Sequence, residues 1–182
     1  MIRLKTLFSC SFFVLLMMSC EDGFEGDKAD NGIEHLEFKV DGRQFESASI
    51  PSQCNALNFN YFPEPHLDLP PGYMTMWASN CVDSTSLSLT FQRVTSEYTG
   101  SSSFESLDFA ESFTPVFRAG NSTIYNRLLD GSITIDQFTG VKKNASGRLT
   151  GTFEIRLIDS EKTDTLTITE GKFNFFISQK LH

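Results

Sequence analysis

Three imidazoles bound the base-assisted chemistry open to this chain: His35, His66 and His182. Nucleophilic catalysis needs a nucleophile, a base and an orienting group that converge in space. His35 stands where an acidic stretch gives way to alternating residues, and His182 is the last residue. His66 lies in a proline-rich stretch, Pro63-Glu64-Pro65-His66-Leu67-Asp68. There is no Gly-x-Ser-x-Gly elbow, and the run Ser101-Ser102-Ser103 reads as a flexible loop. A glycosidase needs only two carboxylates, and the chain has 23 acidic residues. A hydrolase built on such a pair or on His66 therefore ranks third among the functional readings. Asp159, Glu161 and Asp164 gather calcium-type oxygens, but their spacing departs from an EF-hand loop, and a solvated acidic turn is the expectation. No catalytic residue, metal or cofactor is assigned.

The cysteines are more informative. A basic start (Arg3, Lys5) precedes an apolar run from Leu7 to Met18, too short to span a bilayer as a helix. It ends in Leu16-Met17-Met18-Ser19-Cys20, which resembles a bacterial lipobox. The resemblance implies removal of residues 1–19 and a thioether to diacylglycerol on Cys20. Several acyl chains on one residue hold a protein to a membrane without a transmembrane helix. Cys10 leaves with the signal, so the mature chain keeps Cys54 and Cys81 beside the lipidated residue. Two cysteines in an exported domain suggest one disulfide, with separate buried thiols as the alternative. Closing a loop of that length would stabilise by about 3.5 kcal/mol in the chain-entropy model.

Residues 20–33 carry Glu21, Asp22, Glu25, Asp27 and Asp30 against a single Lys28, with Gly23, Gly26 and Gly32 between. That composition cannot bury a core and reads as a flexible tether. Acid directly after the lipidated cysteine resembles the surface-export signal of Bacteroidota lipoproteins. An outer-membrane lipoprotein exposed at the cell surface is expected, with a periplasm-facing one as the alternative. Loss of residues 1–19 removes two basic residues and moves the formal charge from −8 to −10. With a pI near 4.8, nucleic acid and anionic headgroups are poor partners.

Between Cys54 and Cys81 lie the only tryptophan, two of the four tyrosines and four of the six prolines. Tyr61, Phe62, Tyr73 and Trp77 on a disulfide-closed loop can stack on sugar faces or anchor a protein. The competing role is to plug one end of the core, and for Trp77 core packing is the expectation.

Strands must position these residues. Leu36, Phe38 and Val40 alternate with charged residues up to Asp41-Gly42, a two-residue turn into 43–47 that sets Phe38 opposite Phe45. Leu87, Leu89 and Phe91 alternate with hydroxyl residues, and Ile133 and Ile135 mark a shorter strand. Leu149, Phe153, Ile155 and Leu157 lead through a loop at 159–163 to Leu166 and Ile168. Apolar parity then switches across Glu170-Gly171 to Phe173, Phe175 and Ile177. A tight turn or a glycine bulge in one strand accounts for the switch, and either makes an antiparallel meander. Residues 106–113 and 123–129 are candidates for short helical turns. Residues 34–182 thus read as a single all-β domain, an antiparallel β-sandwich with a small β-barrel as the alternative.

The opening Val40-Asp41-Gly42-Arg43-Gln44-Phe45 and the closing Gly147-Arg148-Leu149-Thr150-Gly151-Thr152-Phe153 and Leu166-Thr167-Ile168-Thr169-Glu170-Gly171-Lys172-Phe173 look like small uncharacterised Bacteroidota lipoproteins. The resemblance covers the signal, the first hairpin and the last third of the chain. It implies lineage, lipid anchor and a β-rich domain, and it brings no activity. The expected function is binding of a glycan, a peptide or a partner protein, without catalysis. The alternative is an accessory or structural subunit of an envelope complex.

Overall fold

The computed structural model describes residues 34–47, 54–94, 96–140 and 146–178. Cys20, the signal and the acidic tether lie outside these residues. The strands are β1 (His35–Val40), β2 (Arg43–Gln44), β3 (Leu57–Phe62), β4 (Tyr73–Asn80), β5 (Thr85–Gln92), β6 (Tyr98–Ser103), β7 (Ser112–Ala119), β8 (Thr123–Phe138), β9 (Ser146–Asp159) and β10 (Thr165–Ser178). They form one antiparallel sheet in the order β2-β1-β10-β9-β8-β7-β5-β4-β3, with β6 paired to β8. The sheet curls into a half-barrel, so its two halves act as the packed layers of an all-β domain. Phe59 of β3 stacks on Phe175 of β10, with ring centroids 4.8 Å apart, and joins those halves through the interior.

Local chemistry explains the elements. Asp41 and Gly42 both take positive φ (47° and 79°), the backbone of a tight turn whose twist matches its strands. Lys39 then pairs with Gln44, and Phe38 stacks on Phe45 at 4.5 Å. The apolar side of each strand faces inward, and Phe38, Phe91, Phe109, Phe138, Phe173 and Phe175 are fully buried. Each such ring contributes roughly 1.5–3 kcal/mol of hydrophobic stabilisation, as does each buried leucine, isoleucine or methionine beside it.

At the C-terminus the bulge alternative holds. β10 is continuous and shifts register between Ile168 and Gly171, with Glu170 at φ 52°. The tight turn at that point is not formed. The candidate helical turns are also corrected. Residues 106–111 form an isolated bridge at Ser106 followed by bends, Ser112 and Phe113 open β7, and 123–129 lie within β8. Register shifts after Tyr125 and after Leu128 break the two-residue period in β8, which hides a strand from a periodicity reading. Ser101-Ser102-Ser103 is likewise strand, within β6, and Ser101 shares a 2.8 Å hydrogen bond with Thr134 of β8.

Candidate ligand-binding face

In an antiparallel ladder, residues opposite one another share a side of the sheet. Two outward rows cross the neighbouring strands β3, β4 and β5. One row is Asn58, Trp77 and Ser88, and the next is Asn60, Thr75 and Thr90. Phe62 and Tyr73 begin a third. The inward residues of β4 are Met74, Met76 and Ala78, all fully buried. Trp77 therefore points away from the core and is 45% exposed, against the expectation that it packs inside. The sequence held this signal, since Trp77 alternates with Met76 and Ala78 and shares parity with Tyr73 and Thr75.

The four aromatic candidates divide accordingly. Phe62, Tyr73 and Trp77 stand on the outer side. Tyr61 pairs with Met74 and turns inward, edge-on to Phe138 at 6.1 Å. Burial pushes its phenol pKa up to about 12, so it serves the core. The rings ride on strands, not on a loop, because 57–62 and 73–80 both keep a two-residue period.

Cys54 and Cys81 are disulfide-bonded, with Cα atoms 6.0 Å apart. The bond ties the start of β3 to the end of β4, at the Trp77 end of the hairpin. Ser79 reinforces it by donating its hydroxyl to the Asn55 carbonyl at 2.9 Å and its backbone N–H to Ala56 at 2.8 Å. At the other end, Phe62 stacks on His66 at 4.6 Å and lies 6.4 Å from Tyr73. A two-residue turn closes between His66 and Leu69, leaving Leu67 90% exposed.

Charge separates this face from the rest of the sheet. The three strands β3, β4 and β5 contain no Asp, Glu, Lys or Arg. Their polar groups are amides and hydroxyls. Thr75 Oγ1 lies 3.4 Å from Ser88 Oγ and 3.3 Å from Thr90 Oγ1, and Asn60 Nδ2 donates to Asn58 Oδ1 at 3.3 Å. The outer side of β8, β9 and β10 is different. There Lys39 pairs with Glu170 at 2.6 Å and Arg156 pairs with Asp130. A groove of about 360 Å³ on that side is lined by Ser132, Thr134, Thr152, Glu154, Glu170 and Lys172.

The acidic residues near 159–164 serve the β9–β10 turn. Asp159 accepts from the backbone N–H and the hydroxyl of Thr163, both at 2.7 Å, and Asp164 accepts from Tyr125 at 2.7 Å. The Thr163 hydroxyl, more than any other group, holds the Asp159 carboxyl below the usual carboxylate range. Among the described residues, no cluster of three or more His, Cys, Asp or Glu is placed to hold a metal ion. No protein-family model, curated protein or solved structure matches the chain.

Proposed function

We propose that this chain is a lipid-anchored outer-membrane protein, displayed at the cell surface, whose β-domain binds a glycan. The Leu16–Cys20 box supports the anchor, and the acid after Cys20 supports surface display. One observation carries the binding reading. An exposed Trp77 stands in a face of amides and hydroxyls without a charged residue.

Sugar rings offer C–H faces that stack on an indole and hydroxyls that amides and side-chain hydroxyls can bond. A protein partner fits less well. Interface centres cluster several aromatic or aliphatic anchors together, whereas Trp77 is bordered by Asn58 and Ser88 and set apart from Tyr73 and Phe62 by the polar row of Asn60, Thr75 and Thr90.

A glycan array probed with the full chain, beside Trp77→Ala, tests the reading. Retention by the wild type that drops at least tenfold in the variant is expected. No retention on any glycan, or equal retention by both proteins, would sink it.

A further inference from the structure

We infer that this face grips an uncharged, extended oligosaccharide at two points, one over Trp77 and one over the Tyr73–Phe62 pair, with the sugar chain running along β4. The inference rests on the glycan reading and adds the ligand's charge, minimum length and direction.

Direction follows from where the rings lie. Crossing the sheet from Trp77, a ligand meets Asn58 on one side, then Ser88 and Val116 on the other, and no second outward ring. Along β4 it meets Tyr73 four residues away on the same side, with Phe62 directly opposite. Four residues of strand place the two contacts roughly 13 Å apart, whereas neighbouring strands are only about 4.8 Å apart. A single pyranose is about the size of the indole itself and covers one contact. Spanning both takes at least three linked sugars.

The floor between the contacts suits such a chain. Thr75 is the outward residue of β4 midway, and its hydroxyl is drawn sideways toward Ser88 and Thr90. Asn60 borders it on β3 and Thr90 on β5, so a middle sugar has an amide on one edge and a hydroxyl on the other. Both ends are held in place. The disulfide ties the hairpin at the Trp77 end, and the Phe62–His66 stack fixes the other. A preordered grip loses less entropy on binding.

Charge follows from the strands and from the chain as a whole. No Lys or Arg on β3, β4 or β5 can pair with a uronate or sulfate. Arg118 of β7 stands opposite Ser86 and off the line from Trp77 to Tyr73, and the net negative charge of the chain repels an anion.

The test is calorimetric titration of the full lipidated chain in a detergent without a sugar headgroup. The probes are neutral glucan, mannan, xylan and N-acetylglucosamine ladders of one to six units, with a uronate ladder beside them. In the neutral series that binds, affinity should rise at least tenfold between two and four units. Tyr73→Ala should remove that rise, so that the hexamer binds no better than the dimer, while Tyr73→Phe should keep it. Melting curves of both variants check that the fold is intact, and the Phe variant retains the ring if the Ala variant unfolds. Equal affinity for dimer and hexamer overturns the two-point grip but leaves the glycan reading standing. Tighter binding of the uronate ladder overturns the inference on charge. Failure of every ladder overturns the glycan reading itself.

Discussion

Phe153 of β9 lays its ring over Gly171, its register partner on β10, in the space a side chain there would fill. The relationship is reciprocal two residues along, where Phe173 covers Gly151. Each glycine leaves room for the opposing ring, and the ring shields backbone that a glycine would expose. A Cβ at position 171 would overlap the Phe153 ring edge. Gly171→Ala should therefore cost about 1–3 kcal/mol through overpacking. Chemical denaturation checks this, and Phe153→Leu in the same chain should recover part of the loss because the two sites are coupled.

The outward tryptophan and the inward tyrosine should respond in opposite ways. Trp77→Ala should change stability by no more than about 0.5 kcal/mol, as a surface substitution does. Tyr61→Ala removes a ring packed against Phe138 and should cost about 2–3 kcal/mol. Paired thermal melts decide the matter. A large loss at Trp77 would mean that the ring is part of the core.

Tyr125 supplies a pH signature. Its hydrogen bond to Asp164, burial and the nearby carboxylates raise its pKa from 10.0 to about 12. The folded value lies above the unfolded one, so the stabilisation is complete below pH 10 and is lost as pH rises toward 12. Urea midpoints measured from pH 8 upward should fall in the wild type and fall less steeply in Tyr125→Phe. Tyr61 is raised by burial in the same direction, which leaves a residual slope in that variant. At the acidic end, Asp159 is depressed, so its contribution is present above the unfolded carboxylate pKa and disappears as pH drops through the folded one. Asp159→Asn should flatten that acid limb.

Lipidation is tested most directly at Cys20. Metabolic labelling with an alkyne fatty acid should mark the wild type and not Cys20→Ala, which should also accumulate as the uncleaved precursor. Equal label on both proteins would end the anchor proposal.

The first hairpin was legible because every local preference agrees there. Asp41-Gly42 accepts the positive φ that the turn demands, and the alternation before it sets Phe38 against Phe45. β8 was obscured because three register shifts interrupt its period, so a sixteen-residue strand resembles mixed turns. The disulfide was legible from cysteine count together with the export that the lipobox resemblance implies. The binding face was only half legible. Trp77 reads as a plug at one end of the core, although its parity among Met74, Met76 and Ala78 places it outside. Periodicity also cannot show that β3, β4 and β5 become neighbours, and their shared lack of charge acquires meaning only once they are side by side.

The bulge at Glu170 makes β10 sensitive to a kind of change that substitution does not test. Because side chains alternate, one extra residue swaps the two sides of everything that follows it. A heritable loss of one codon at Glu170 would shorten the chain by a single residue and restore an unbroken alternation. Gly171 would then take the inward place two residues after Ile168, and Phe173, Phe175 and Ile177 would stay buried in their present register against β9. Most single replacements along this strand cost one contact. A single deletion there would leave the two sides as they are, whereas one residue inserted after Gly171, with the bulge kept, would invert the C-terminal half of β10 and expose an aromatic β-segment able to pair with other copies.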